Sequence, residues 1–121
     1  MIKYTTLGTN DLPRAAAFYD ALLGELGARR VIDLERMIGW ASRPEDPVFG
    51  VITPFDRQAA TAGNGMMVAL HVDEPTQVDS LHAKALALGG TDEGAPGLRF
   101  GTFYAGYFRD LDGNKVALVR M

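Results

Sequence analysis

The feature that most constrains the fold is an internal repeat, because the second half of the chain restates the residue pattern of the first half after 63 residues. The shift aligns corresponding apolar, aromatic and glycine positions, namely Tyr4 with Met67, Leu7 with Leu70, Phe18 with Leu81, Leu23 with Leu86 and Gly27 with Gly90. One constant offset covers both a strand-like and a helix-like segment. Such self-similarity is typical of a duplicated supersecondary unit.

Each half begins with a strand and a helix. Residues 2–9 are rich in β-branched and aromatic side chains, which predicts a strand. Asn10 or Asp11 can then cap a helix that has Pro13 in its first turn and ends at Gly27. The second half repeats this order, with an apolar strand, a proline near the start of the helix and a glycine pair at its end.

Further short strands follow in each half, which predicts an α+β fold of two tandem βαβββ modules. Module 1 covers about residues 1–55, a polar, glycine-containing linker covers about 56–64, and module 2 covers about 65–121, so that the chain forms a single domain. We expect the sheets to form a curved cup with one helix per module.

Composition excludes several classes of function. Apolar residues make up 47% of the chain and charged residues 22%, which is ordinary for a globular protein. The net charge of −3 and the scattered basic residues give no support for a nucleic-acid or membrane surface. Cysteine is absent, which removes thiol nucleophiles, thiolate metal sites and disulfides. No long apolar run is present, and we expect a cytoplasmic protein.

Strand alternation predicts which side chains lie on the helix-free face of each sheet, meaning the face opposite its helix. These candidate ligand-binding residues are Tyr4, Thr6, Trp40, Met67, His71, Arg99, Tyr107, Arg109 and Ala117. Aromatic and soft apolar side chains with a few polar groups are usual in small-molecule pockets, where Arg109 could pair with a carboxylate or phosphate. The same side chains would also suit a filled core or a dimer interface.

Two motifs carry a family resemblance. The segments "NDLPRAAAFYDALLGELG" and "YFRDLDGNKVALV", set in paired βαβββ modules, resemble the vicinal oxygen chelate superfamily of glyoxalases, bleomycin-resistance proteins and extradiol dioxygenases. The segment "HAKALALGGTDEGAPGLR" is similar to a glyoxalase-like subgroup of it. The resemblance implies a divalent metal such as Zn, Ni, Mn or Fe, held by a histidine in the first strand, a histidine in the strand opening the second module and a glutamate in the last strand.

At the three metal-ligand positions that the resemblance implies, this chain has Tyr4, Met67 and Ala117. Methionine is too soft a ligand for these metals and alanine has no donor atom. We therefore predict that the usual metal site is lost and that no cofactor is bound. A site rebuilt around His71 is the alternative, although His71 and His82 lack a ligand spacing. We expect His71 to be a pocket residue and His82 to lie on a partly exposed helix surface.

The acidic segment "DLDGN" admits a calcium loop or a hairpin turn. A calcium loop of the EF-hand type needs a glycine and a glutamate where this chain has Lys115 and Met121. We therefore predict a tight turn in which a carboxylate of Asp110 or Asp112 caps backbone N–H groups. Gly113 or Asn114 would supply the positive φ angle.

Two classes of function follow from these expectations. The first is a protein that binds a small, aromatic or anionic molecule in the cup without a metal. The second is an enzyme, either a lactoylglutathione lyase-like lyase or isomerase or a dioxygenase-type enzyme. Such an enzyme would use a rebuilt metal site, or His71 as acid and base with Tyr4, Tyr107 and Arg109 as oxyanion donors. The resemblance also implies a homodimer.

Overall fold

The computed structural model describes residues 1–121 and contains two helices and eight strands. In chain order the elements are β1 (Tyr4–Gly8), α1 (Leu12–Gly24), β2 (Arg29–Asp33), β3 (Met37–Ala41), β4 (Val48–Ile52), β5 (Val68–His71), α2 (Pro75–Ala87), β6 (Thr91–Arg99), β7 (Phe103–Arg109) and β8 (Lys115–Arg120). The predicted α+β fold of two βαβββ modules, with one helix in each, is confirmed.

The chain divides into two compact units, residues 1–62 and 63–121, which have the same topology. The sheet of the first unit has the order β1-β4-β3-β2, and that of the second has the order β5-β8-β7-β6. In each unit the first and last strands pair in parallel and the remaining neighbours pair antiparallel. The repeat seen in the sequence is thus a repeat of topology.

In the first module, α1 begins at the predicted cap and covers an aromatic core. The Asp11 carboxylate accepts a hydrogen bond from the Arg14 N–H at 3.1 Å. Tyr19 is fully buried, and its ring lies 4.9 Å from that of Phe49 and 5.7 Å from that of Trp40, measured between centroids. Burial of these rings on one side of the sheet holds the helix in place.

Trp40 does not lie where strand alternation predicts it. It was predicted on the helix-free face, but it is 1% exposed and its indole Nε1 donates to the Asp20 carboxylate of α1 at 2.8 Å. The reason lies in the strand itself. Because Gly39 has no side chain and the flanking residues are all apolar, "MIGWA" shows no alternation that distinguishes its two faces.

The Asp20 carboxylate predicts a pH dependence of stability. The Arg30 guanidinium beside it, followed by the Trp40 indole, lowers the pKa of Asp20 below its usual value. A depressed pKa stabilises the fold above the pKa of the unfolded chain, near 4, and this stabilisation is lost as the pH falls through the folded pKa. The effect is about 1 kcal/mol or less, because the Arg30–Asp20 pair is partly exposed to solvent.

Asp20→Asn tests this dependence, since the amide oxygen can still accept from Trp40. In urea unfolding, the variant is expected to be less stable than the wild type near neutral pH and to converge on it as the pH falls below the lowered pKa of Asp20. An equal difference between the two proteins at both pH values would show that the charge of Asp20 does not act on stability.

In the second module, α2 begins with a capping box. The Glu74 side chain accepts from the backbone of Gln77, and the Gln77 side chain accepts from the Glu74 N–H at 2.9 Å. The helix lies against β6, β7 and β8 and buries Val78, Leu81 and Ala85. Neither helix of the structure is long and apolar enough to cross a bilayer.

Candidate functional site

The predicted turn between β7 and β8 is confirmed as a carboxylate-capped hairpin turn. Oδ1 of the buried Asp110 accepts from the N–H groups of Asp112 and Asn114, both at 2.9 Å, and Oδ2 accepts from the Asn114 side-chain amide at 3.1 Å. Gly113 supplies the positive φ of 85°. These three hydrogen bonds lie within the turn, which indicates a structural role for the carboxylate.

Removal of this carboxylate is expected to destabilise the second module. Asp110→Ala leaves the N–H of Asn114 without its acceptor in a buried setting, which costs about 2–3 kcal/mol of unfolding free energy. Asp110→Asn keeps one carbonyl acceptor and is expected to cost less. Urea unfolding followed by circular dichroism measures both variants, and equal stability of Asp110→Ala and wild type would contradict the assignment.

The helix-free face of the second module is built from small side chains. Strand register places Ala117 beside Ala69 on one neighbouring strand and Tyr107 on the other. Ala105 and Ala117 are fully buried, and Phe103 and Tyr107 pack against them. Because register partners lie on the same face of a sheet, two aromatic rings here stand beside a floor of alanines.

A cavity of about 300 Å³, here called the second-module cavity, opens on this face. Its lining residues are Met67, Ala69, Leu70, His71, Phe103, Tyr107, Val119 and Met121. Three of the predicted site residues, Met67, His71 and Tyr107, therefore meet in one cavity. Ala117 lies next to Ala69 and Tyr107 in the register, but it is fully buried and is not a lining residue of the cavity.

Two polar groups lie among these apolar lining residues. His71 has a side chain that is 69% exposed, and its Nε2 lies 3.2 Å from the Asp73 carboxylate. The ring of Tyr107 is flanked by two cations, with the Arg99 guanidinium 5.2 Å and the Lys115 ammonium 5.5 Å from its centroid. The cavity thus combines an apolar surface with positive charge near one aromatic wall.

Arg109 has its hydrogen-bond partners within its own module. It does not line the cavity, because its guanidinium donates to the Glu93 carboxylate at 2.9 Å and to the Gly113 carbonyl at 3.1 Å. The Arg109 guanidinium also holds the pKa of Glu93 below its usual value. Arg109 therefore stabilises the β6–β7 edge and the turn, whereas Arg99 and Lys115 supply the charge near Tyr107.

His82 is a buried residue near the cavity, which corrects its predicted place. It was predicted on a partly exposed helix surface, but it is 6% exposed. Its Nε2 lies 3.0 Å from the Asp92 carboxylate and 3.1 Å from the Tyr107 carbonyl oxygen. His82 thereby ties α2 and β6 to the backbone of a cavity residue.

The residues at the three implied metal positions do not fit a divalent metal. Tyr4 is 61% exposed on β1 of the first module, Met67 offers only a thioether, and Ala117 has no donor. The structure contains no group of three or more His, Cys, Asp or Glu side chains that could hold a metal ion. His71 has one carboxylate neighbour, Asp73, and no second imidazole.

The chain is similar to known proteins along its whole length. Residues 1–118 match the family model described as "Glyoxalase/Bleomycin resistance protein/Dioxygenase superfamily". A solved structure of a glyoxalase/bleomycin resistance protein from Albidiferax ferrireducens T118 is 38% identical, with a TM-score of 0.91 over 100% of this chain and 98% of that one. No curated protein matches the sequence.

Two further solved structures extend the likeness. A hypothetical protein from S. aureus is 26% identical, with a TM-score of 0.77 over 100% of this chain and 93% of that one. Lactoylglutathione lyase from Agrobacterium tumefaciens is 22% identical, with a TM-score of 0.71 over 98% of this chain and 92% of that one, and it shows a shared fold alone.

Proposed function

We propose that this chain, which belongs to the glyoxalase/bleomycin resistance protein/dioxygenase superfamily, binds a small molecule. The proposed binding site is the second-module cavity, and binding there needs no metal. The observation that carries the proposal is the lining of this cavity, which brings Met67, His71, Phe103 and Tyr107 together beside Ala69. Apolar walls with few polar groups are what small-molecule sites usually offer.

The lining favours a planar aromatic ligand with a negative charge. Phe103 and Tyr107 provide ring faces and edges for stacking, and Met67 and Met121 can adapt their shape to a ligand. Arg99 and Lys115 lie close to the Tyr107 ring and would attract an anionic substituent. The cavity volume of about 300 Å³ suits a compact ligand of one or two fused rings.

Independence from metal is supported by the donor chemistry. At the three implied metal positions, this chain has a phenol, a thioether and a methyl group. The resemblance implies two imidazoles and a carboxylate there. Apolar groups at these positions suit ligand contact better than metal binding. We therefore expect the ligand to bind through stacking and charge alone.

A second candidate function is metal-free proton transfer, in a reaction of the lyase or isomerase type. The observation that favours it is the His71–Asp73 pair at 3.2 Å, because a carboxylate beside an imidazole orients it as an acid or base. The Tyr107 hydroxyl would then serve as an oxyanion donor in the same cavity.

The two candidates differ in turnover. The purified protein is incubated with the methylglyoxal–glutathione adduct, its content of Ni, Zn and Mn is measured, and binding of a planar aromatic anion is titrated. We expect saturable binding, no turnover and no stoichiometric metal. Turnover that His71→Gln removes would favour the enzyme, and a requirement for tightly bound metal would contradict both candidates.

The proposal also covers the oligomeric state and the cellular location of the protein. We expect a homodimer, as the family resemblance implies, and a cytoplasmic location, with which the absence of cysteine agrees. Sedimentation at micromolar concentration tests the first part, and a strict monomer would contradict it.

A further inference from the structure

The first module contains a second cavity of a different chemical character. This first-module cavity has a volume of about 330 Å³ and is lined by Thr9, Asn10, Arg36, Thr53, Pro54, Arg57, Gln58 and Ala59. It includes none of the residues of the second-module cavity. Its lining is mainly polar and contains two arginines and no carboxylate.

The cavity lies where three strands of one sheet meet. The parallel strands β1 and β4 both end at this edge, and the antiparallel strand β3 begins there. Backbone hydrogen bonds extend the sheet to the cavity, from the Thr9 N–H to the Ile52 carbonyl at 3.0 Å and from the Thr53 N–H to the Arg36 carbonyl at 2.9 Å. Arg36 and Thr53 are therefore fixed by the sheet.

The loop that follows β4 closes the cavity and is itself held in place. The Asn10 side chain donates to the Ala60 carbonyl at 3.1 Å and accepts from the Ala60 N–H at 2.7 Å. The Asp56 carboxylate accepts from the Gln58 N–H at 2.9 Å. Arg57 has a φ of 63°, a left-handed conformation that is uncommon for a residue other than glycine. The loop thus presents Arg57 in a defined conformation.

The charges of the two arginines are not neutralised within the cavity. The Arg36 guanidinium donates to the Thr53 carbonyl at 3.4 Å and lies 5.5 Å from the centroid of the Phe55 ring. Two other arginines of the same module are paired with acids, Arg30 with Asp20 at 2.7 Å and Arg43 with Asp46 at 3.0 Å. Arg36 and Arg57 have no such partner, which leaves two positive charges for a bound group.

We propose that the first-module cavity binds a small oxyanion, either a phosphate group or a carboxylate, between Arg36 and Arg57. A guanidinium presents parallel N–H donors that match two oxygens of either group. Thr53 and Gln58 line the same cavity, and their side chains could add neutral donors. This inference does not depend on the proposed function of the second-module cavity, since the two cavities share no residue.

The test is calorimetric titration of the full chain with inorganic phosphate and, separately, with succinate, at constant ionic strength. Arg57→Asn removes one charge and suits the left-handed conformation of the loop. It is expected to weaken binding at least about 10-fold, which is the usual effect of losing a hydrogen bond to a charged group. Arg36→Gln is expected to act in the same direction.

Arg29→Gln is the matched control, because it removes one positive charge from an exposed position on β2 outside the cavity. Its affinity is expected to equal that of the wild type. Phosphate binding alone would assign a phosphorylated ligand, and succinate binding alone a carboxylate ligand. The inference is overturned if neither anion binds, or if Arg57→Asn and Arg29→Gln bind equally well. Arg57 lies on an exposed loop, so its variant tests the site even if Arg36→Gln fails to fold.

Discussion

Ala69→Trp is expected to remove ligand binding by the second-module cavity. Ala69 is an exposed lining residue whose register partner is Ala117, so an indole there fills the space above the alanine floor. A side chain of this size occupies most of a cavity of about 300 Å³ and would lower affinity for a planar aromatic anion at least about 100-fold. Fluorescence titration with 8-anilinonaphthalene-1-sulfonate measures the effect.

The control for this variant is Ala83→Trp, which places the same side chain on an exposed position of α2 in the same module. It is expected to bind the probe as the wild type does. Both variants should unfold at wild-type urea concentrations, since neither indole is forced into the core. Unchanged affinity in Ala69→Trp would place the ligand elsewhere and would refute the proposed site.

Trp40→Ala is expected to lower the free energy of unfolding by about 3–5 kcal/mol. The residue is almost wholly buried against Tyr19 and Phe49, and its removal also leaves Asp20 without the indole donor. A small domain is stable by only about 5–15 kcal/mol, so this loss is a large fraction of the total. Trp40 is the only tryptophan, and urea unfolding must therefore be followed by circular dichroism.

Trp40→Phe separates packing from the hydrogen bond, because it keeps most of the apolar contact and loses only the donor to Asp20. We expect it to cost about 1–2 kcal/mol. If Trp40→Ala lowered the free energy of unfolding by less than Trp40→Phe does, that result would contradict the assignment of Trp40 to the core under α1.

The repeat carried most of the information about the fold. Its offset of 63 residues spans a strand and a helix, and both halves have the turn and capping residues that local physics requires. Asp11 at the start of α1 and Gly113 in the β7–β8 turn are examples, since each has a local role that depends on neighbouring residues alone. Such features can be read without knowledge of distant contacts.

The site was only partly predictable, because side-chain partners depend on distant parts of the chain. Met67, His71 and Tyr107 were predicted on the helix-free face, and all three line one cavity. Trp40 and His82 were misplaced for opposite reasons. The strand around Trp40 is apolar on both faces, whereas the buried position of His82 goes with contacts to Asp92 and the Tyr107 carbonyl, which lie 10 and 25 residues away in the sequence.

Arg109 and the first-module cavity show that the sequence does not identify the partner of a charged side chain. An arginine near a predicted pocket can pair with a ligand or with a carboxylate of its own chain, and sequence alone does not place Glu93 beside Arg109. Conversely, Arg36 and Arg57 come from segments that show no motif, and only the meeting of strand ends brings them into one cavity. Only the three-dimensional structure shows whether an arginine is paired with an acidic side chain of the same protein.

The measurement that tests the central claim most directly is the dissociation constant of 8-anilinonaphthalene-1-sulfonate, determined in EDTA and again in excess Zn, Ni or Mn. Metal-independent binding in the second-module cavity predicts a saturable site in EDTA, with an affinity that changes by less than about twofold on addition of metal. Binding that appears only when metal is present would contradict the account, as would probe binding in EDTA that never saturates.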